Sequence, residues 1–393
     1  MSDENRAWAY LSRVVEPPSR ELTAFVAAVG PVEAADRIKR GEDVKGLGRL
    51  TAARRDIDCS ASDLEVLARL NGRLVTPGDP DWPLLAFTSF NGKPACDRPA
   101  GHTPMVLWVI GDDSLADVAE RSCSIVGTRA ATSYGEHQAA DLAAGLADRD
   151  VAVVSGGAFG IDGVAHRATL GAEGLTVAVL AGGIDVPYPS AHTAMLRRIG
   201  DQGLLVTEYP PGVRPARHRF LTRNRLVAAL SGATVVIEAG LRSGAANTAA
   251  WAEALGRPVC AYPGPVTSSA SAGCHVLIRN GAFLVTRVEE VLEFVGAAGE
   301  LAPEPDRPTS PLDGLTDAEL RTYDALPARG ARTVDQIAVA AGLPPVELLG
   351  PLATLELAGL VVRQEGKWRI AARTVASHPT SPARIVGGDQ LTI

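Results

Sequence analysis

From Ser122 onward the chain repeats one grammar: a short Val/Ile/Leu-rich run, a glycine-bearing turn, then an amphipathic helix. CSIVGTR leads into SYGEHQAADLAAGLADRD, VAVVSGGAFGIDGVAHRATL and TVAVLAGGIDVPYPSAHTAMLRRI repeat the pattern, and TVVIEAGLRSG runs into NTAAWAEALG. LLVTEYPPG, PVCAYPGP and FLVT supply further strands. Apolar strands alternating with helices predict an α/β core, a Rossmann-like, mostly parallel sheet with helices on both faces. Ligands of such sheets bind in the crevice beyond the carboxyl ends of the strands.

Four glycine-bearing strand ends are candidates for that crevice: Gly127-Thr128-Arg129, the loop from Ser155 to Asp162, Gly182 to Asp185, and Arg242-Ser243-Gly244. Glycine lets backbone approach a phosphate, and the helix N-terminus that follows offers amides to it. Within the second loop, Ser155, Gly156, Gly157, Ala158 and Gly160 are the candidate contacts. Arg129 directly after a strand, with Ser133 as the helix cap, reads as a phosphate hook. Asp162 and Asp185 read as structural carboxylates, and His166 as a packing histidine. The dinucleotide fingerprint and the Walker lysine are absent, and no Ser/His/Asp triad or metal-ligand spacing occurs, so neither a cofactor nor a metal is expected.

A second signal is electrostatic. RPARHRFLTRNR, Arg214 to Arg225, places five arginines, His218 and Phe220 in twelve positions, and no Asp or Glu occurs between Glu208 and Glu238. The whole chain carries a formal net charge of −7, so this basic run is a local feature and not a general coat for nucleic acid. Guanidinium forks for phosphates, interleaved with Asn224 and with Phe220 available to stack on a base, read as a bed for a polyanion.

At 393 residues the chain exceeds one ordinary core, and its punctuation divides it. Residues 1–70 read as a small helical module with Ser62 as a cap, 71–298 as the α/β core, and 299–311 as a Pro-rich linker. The segment LVTPGDPDWPLLAFTSFNGKPACDRPAGHTP reads as an irregular lead-in to the strand MVLWVIGD. Residues 312–371 predict three helices capped at Thr316 and Thr333, then a hairpin turning at Glu365-Gly366, which is a winged helix. Six basic and eight acidic residues there do not favour a DNA contact, and the module is expected to be a protein-contacting or vestigial wing. Residues 372–393 read as a flexible tail. Five unpaired-looking cysteines, an N-terminus without a basic and apolar leader, and no apolar run of membrane length predict a soluble cytoplasmic protein.

SIVGTR, SGGAFGID, LAGGIDVPYP, TEYPPG, FLTRNR, EAGLRSG, YPGP and AGCHVLIRNGA, in this order, resemble the DNA-processing protein A (Smf) family over about residues 72 to 298. The flanking helical (SAM-like) and winged modules suit that family's architecture. The resemblance implies a single-stranded DNA-binding homodimer that protects the strand and helps load the RecA recombinase, as in natural transformation, and a binding protein rather than an enzyme. It places the family's motif arginine on Arg129, its basic residue on Arg217, its aromatic on Phe220 and its RNR motif on Arg223, Asn224 and Arg225. The chain departs from the family's pattern at Leu221, where proline is usual, at Ala245-Ala246, where Ser-Leu is usual, and at Ser190 to Thr193, which carry no lysine.

Two other functions fit the same core. A nucleotide N-glycosidase of the phosphoribohydrolase type would need a catalytic Glu three residues after its glycine loop, where this chain has Trp251. A nucleotide sensor that signals through the wing would bind mononucleotides tightly.

Overall fold

The computed structural model describes residues 2–371 except 43, 45, 298, 303–311 and 328. Most of the linker expected over 299–311, and all of the tail expected over 372–393, lie outside the described residues. Contacts divide the chain into two units, with the boundary between Pro303 and Glu304.

The first unit is built on a nine-stranded sheet: β1 (Gly72–Val75), β2 (Leu107–Ile110), β3 (Ser122–Val126), β4 (Ala152–Ser155), β5 (Thr176–Val179), β6 (Leu204–Thr207), β7 (Ala233–Val236), β8 (Val259–Ala261) and β9 (Phe283–Leu284). Their order is β1-β2-β6-β5-β4-β3-β7-β8-β9. The β1–β2 and β2–β6 pairs are antiparallel, and every other pair is parallel. Every residue of β3 to β8 is buried, which is why these strands read as unbroken apolar runs and not as alternating ones. Aliphatic clusters cover both faces. From β3 the chain winds one way through β4, β5 and β6 and the other way through β7, β8 and β9. That reversal is the switch point at which an open α/β sheet leaves a crevice.

The lead-in before β2 is more ordered than its composition predicts. Its first two residues, Leu74 and Val75, complete β1, which pairs Gly72 to Ile110 through Val75 to Leu107, and three short helical turns follow. A four-residue strand between turn-rich flanks carries too little periodicity to stand out.

Helices Asp3–Val14, Arg20–Val29, Pro31–Lys39 and Ser60–Arg69 make up most of the N-terminal region. They pack on the sheet through a cluster that contains Ala9, Leu64, Leu67 and the fully buried Trp108. The last helix starts at Ser60, two residues earlier than expected. Asp58 Oδ1 accepts from the Ser60 amide, and the Ser62 hydroxyl donates to the Cys59 carbonyl instead of capping.

His166 is fully buried, as its helical position predicted. The Thr176 hydroxyl gives its one proton to the Val153 carbonyl, so it accepts from His166 Nδ1 at 2.7 Å, and Nε2 is left bare in the core. Burial pulls the imidazole pKa down to about 3. The folded chain therefore refuses a proton that the unfolded chain accepts below about pH 6.5. Stability is expected to fall as pH drops from 6.5 toward 4, by up to about 1.4 kcal/mol per unit from this group. Denaturant melts at pH 7 and pH 5 test this, since His166→Gln should flatten the difference between them.

The second unit contains helices Asp317–Asp324, Val334–Ala341 and Pro345–Leu357, then β10 (Val361–Gln364) and β11 (Lys367–Ile370), the expected winged helix. Thr316 and Thr333 close capping boxes with Glu319 and Gln336. Glu365 and Gly366 both take positive φ, 49° and 74°, as a two-residue hairpin turn requires. Among the described residues, no single helix is long and apolar enough to cross a membrane.

Candidate nucleic-acid interface

Three of the four glycine loops meet at the switch point. Gly127, Thr128 and Arg129 after β3, Gly156 and Ala158 after β4, and Ser243 and Gly244 after β7 line one cleft of about 280 Å³. Phe220, Arg223 and Asn224 from the helix Arg217–Ala229 form its opposite wall. The fourth loop, Gly182 to Asp185, is not part of it. β5 lies two places from β3, and its glycines pack against Pro210, Val213 and Pro215.

The loops brace one another through backbone. The Ile161 amide donates to the Thr128 carbonyl at 3.2 Å, and Thr128 N donates to Glu238 O at 2.7 Å. Gly160, at φ +73°, has the Thr128 and Arg129 backbone where a Cβ would stand, so only glycine fits. Glu238 is buried and accepts from both the amide and the hydroxyl of Thr132, at 3.0 and 2.6 Å. Thr132, not Ser133, caps the helix Ser133–Ala147 by accepting from Gly135 N. Ser133 is the first helical residue, exposed and outside the cleft lining. The Ser243 hydroxyl likewise caps its own helix, accepting from Ala246 N at 3.2 Å.

Asp162 is buried and accepts from Gly156 N and Ala158 N, which sets the shape of the β4 loop. Burial raises its pKa against the pull of Arg223 and those amides. Ser155 donates to the Ile125 carbonyl, and Gly157 is buried with its carbonyl 3.0 Å from His192 Nδ1. Both hold the loop from beneath and do not present themselves to a ligand.

The arginines divide by direction. Arg129 is exposed at the mouth, its guanidinium over the Phe220 ring, 5.6 Å from the centroid. Arg223 forms the floor. Its Nη1 donates to the Gly156 carbonyl at 2.7 Å and to the Val179 carbonyl, and a Cβ on Gly156 would collide with this guanidinium. Its Nε has no partner, and no carboxylate among the described residues pairs with it. Burial, offset by Asp162 and assisted by Arg129, pulls its pKa down to about 10, so it remains a cation at neutral pH. Asn224 Nδ2 donates to Gly244 O and Asn247 Oδ1, tying the two helices that flank the cleft.

Arg225, expected as a third contact of the RNR motif, points the other way. It is 0 % exposed and both Glu208 oxygens accept from its Nη2 at 2.6 Å. A residue two positions from Arg223 lies about 200° round the helix, so a helix that turns one inward to the cleft turns the other into the core. Arg219 pairs at 2.6 Å with Glu16, two residues past the end of the first helix, which ties the N-terminal region to this helix. Arg214 and Arg217 are exposed and carry no ion pair among the described residues.

Trp251, where a glycosidase would carry its carboxylate, is buried with the Arg98 guanidinium 4.9 Å over its ring. Two exposed rings beside the cleft escaped the sequence reading: Phe159 within the β4 loop and Tyr188, which tilts against Phe220 at 5.4 Å.

A switch-point cleft with braced glycine turns, a buried arginine without an ion pair among the described residues and an arginine laid on an aromatic ring defines an α/β protein with a basic crevice at its strand ends, followed by a winged helix. Residues 73–296 match the family described as DNA recombination-mediator protein A, and residues 303–367 match the DprA winged helix domain. The chain belongs to the DNA processing protein A (DprA/Smf) family. It is 63% identical over 383 residues to the putative DNA processing protein DprA of Mycobacterium tuberculosis, covering 97% of this chain and 98% of the relative. It is 38% identical over 266 residues to the protein Smf of Escherichia coli, covering 67% and 71%. Its fold is similar to the X-ray structure of DprA from Streptococcus pneumoniae, with a TM-score of 0.59 at 28% identity over 75% of this chain and 98% of that one.

Proposed function

We propose that the cleft binds single-stranded DNA through its phosphates, with bases stacked at the mouth. The observation that carries this reading is Arg129 laid over Phe220 in a cleft also lined by Arg223, a buried cation with no ion pair among the described residues, to which a phosphate adds a direct counterion. The glycine loops admit a phosphate close to backbone, Ser243 and Asn224 offer polar contacts beside it, and a stacked ring accepts any base, so the affinity is tolerant of sequence. Duplex DNA keeps its bases paired and cannot use the ring. Family membership extends the proposal: the bound strand is protected and passed to RecA recombinase by a protein acting as a homodimer.

Single-strand binding releases counterions, so log affinity falls linearly with log salt, by about 0.7 per phosphate neutralised. Arg217 is exposed one turn before Phe220 and unpaired, so it is assigned a phosphate at the entrance. A titration of oligo-dT over a salt series is expected to show Arg217→Ala with a slope shallower by about 0.7. An unchanged slope removes Arg217 from the interface. Tight binding of mononucleotides with none of oligo-dT would contradict the reading as a whole.

A further inference from the structure

The well-exposed aromatic rings of the described residues are Tyr134, Phe159, Tyr188 and Phe283. Phe283 lies on the edge strand β9, while the other three all follow carboxyl ends of parallel strands, on the side of the sheet that holds the cleft. Tyr134 is anchored by its hydroxyl, which donates to the Pro263 carbonyl at 2.6 Å. Phe159 and Tyr188 have no comparable tether, and they remain 47% and 50% exposed although each is a large apolar surface.

Their placement is continuous with the cleft. Tyr188 tilts against Phe220 with centroids 5.4 Å apart, so it extends the mouth outward from the Arg129–Phe220 pair. Four residues later in the same turn, His192 is buried and meets Phe159 edge-on at 4.8 Å. The imidazole is held by the Gly157 carbonyl, so the turn bearing Tyr188 and the loop bearing Phe159 are locked together. A cation stands beside them. A Cβ at Gly163 would lie 2.8 Å from His192 Cε1 and 3.2 Å from Arg167 Nη1, which puts the Arg167 guanidinium next to the His192 ring. Arg167 is exposed and carries no ion pair among the described residues. Two half-exposed rings beside the cleft, with an unpaired arginine next to the His192 ring that one of them touches, have the composition of a stacking track for single-stranded nucleic acid.

We propose that Phe159, Tyr188 and Arg167 form a second nucleotide subsite, in which two successive bases of the strand leaving the cleft stack on Tyr188 and Phe159 and a phosphate between them meets Arg167. This inference rests on the reading of the cleft as a single-strand site and adds the direction in which the strand runs, from Phe220 across the β5 turn toward the β4 loop. Arg129 and Phe220 are required whichever way the strand leaves, whereas the second subsite is required only if it leaves this way.

The test uses the full chain and two probes, oligo-dT and the same oligomer made abasic along its length. Phe159→Ala and Tyr188→Ala are each expected to lower oligo-dT affinity about tenfold with the salt slope unchanged, since stacking releases no counterion. On the abasic strand, the same variants are expected to match the wild type. Arg167→Ala is expected to make the slope shallower by about 0.7 on both probes. Phe159→Trp is expected to keep the affinity and to show quenched emission on binding oligo-dT. Variants that bind oligo-dT as the wild type does, or that lose affinity equally on the abasic strand, overturn the subsite while leaving the Arg129-dependent cleft intact. Wild-type protein that fails to bind oligo-dT overturns both.

Discussion

Replacing Arg129 and Phe220 together by alanine is expected to lower the affinity for oligo-dT by about 60-fold or more. One base stacked on an aromatic ring contributes about 1–3 kcal/mol, and a charge-assisted hydrogen bond to phosphate about 1.5–3 kcal/mol. Even the lower ends sum to more than the roughly 1.4 kcal/mol that makes a tenfold change. The two side chains touch, the guanidinium lying 5.6 Å over the ring, so their contributions are coupled and the double variant should differ from the product of the singles. Arg129 is exposed and Phe220 only partly buried, so the folded state loses little in either change. Anisotropy titrations at moderate salt check the result, with a denaturant melt to confirm that the variants remain folded. Binding within threefold of the wild type would remove this pair from the interface.

Arg225→Ala is expected to act on the fold instead. Its guanidinium and the Glu208 carboxylate are both sealed from solvent, with two contacts of 2.6 Å between them. Removing one partner of such a pair leaves an uncompensated buried charge, at a cost of about 3–5 kcal/mol. That is a large share of the stability of an ordinary domain. Glu208→Ala should cost a similar amount for the mirrored reason, and the double change Arg225→Met with Glu208→Leu should recover much of it, because neither charge is then left behind. Urea denaturation of the full chain measures all three. An Arg225→Ala protein as stable as the wild type but weak in oligo-dT binding would show that this arginine faces the strand, as the RNR motif had suggested, and that the buried pair is misassigned.

These two arginines also show what the sequence discloses and what it withholds. The strand, glycine turn and helix grammar after Ser122 is a property of the chain itself, and it was enough for a parallel sheet with a ligand crevice at its carboxyl end. Which glycine turns share that crevice depends on strand order. β5 lies two places from β3, so Gly182 to Asp185 fall away from the cleft although their local sequence looks the same as the others. The basic run is one helix, and one helix cannot present every residue to one side. Phe220, Arg223, Asn224 and Val227 recur at helical spacing and all line the cleft, while Arg225 falls between them and enters the core. That spacing was present in the sequence, but reading the motif as a block hid it. Ser133 and Ser62 misled for a different reason: Thr132 and Cys59 stand close by, and cap position is set within a residue or two by backbone that the sequence does not show. Glu238 was visible as the end of an acid-free stretch and the start of EAGLRSG, with no role attached. Its role in bracing Thr132 arises from the β3–β7 pairing, which is a tertiary fact.

The central claim is that the switch-point cleft receives a single strand, and one titration tests it most directly. Wild-type full chain and the Arg129→Ala, Phe220→Ala double variant are each titrated with oligo-dT and with a duplex of the same length across a salt series. The account predicts that the wild type binds the single strand well above the duplex, with affinity falling steeply as salt rises, and that the double variant loses most of this preference. Equal binding of duplex and single strand by the wild type, or a preference that survives the double substitution, would contradict it.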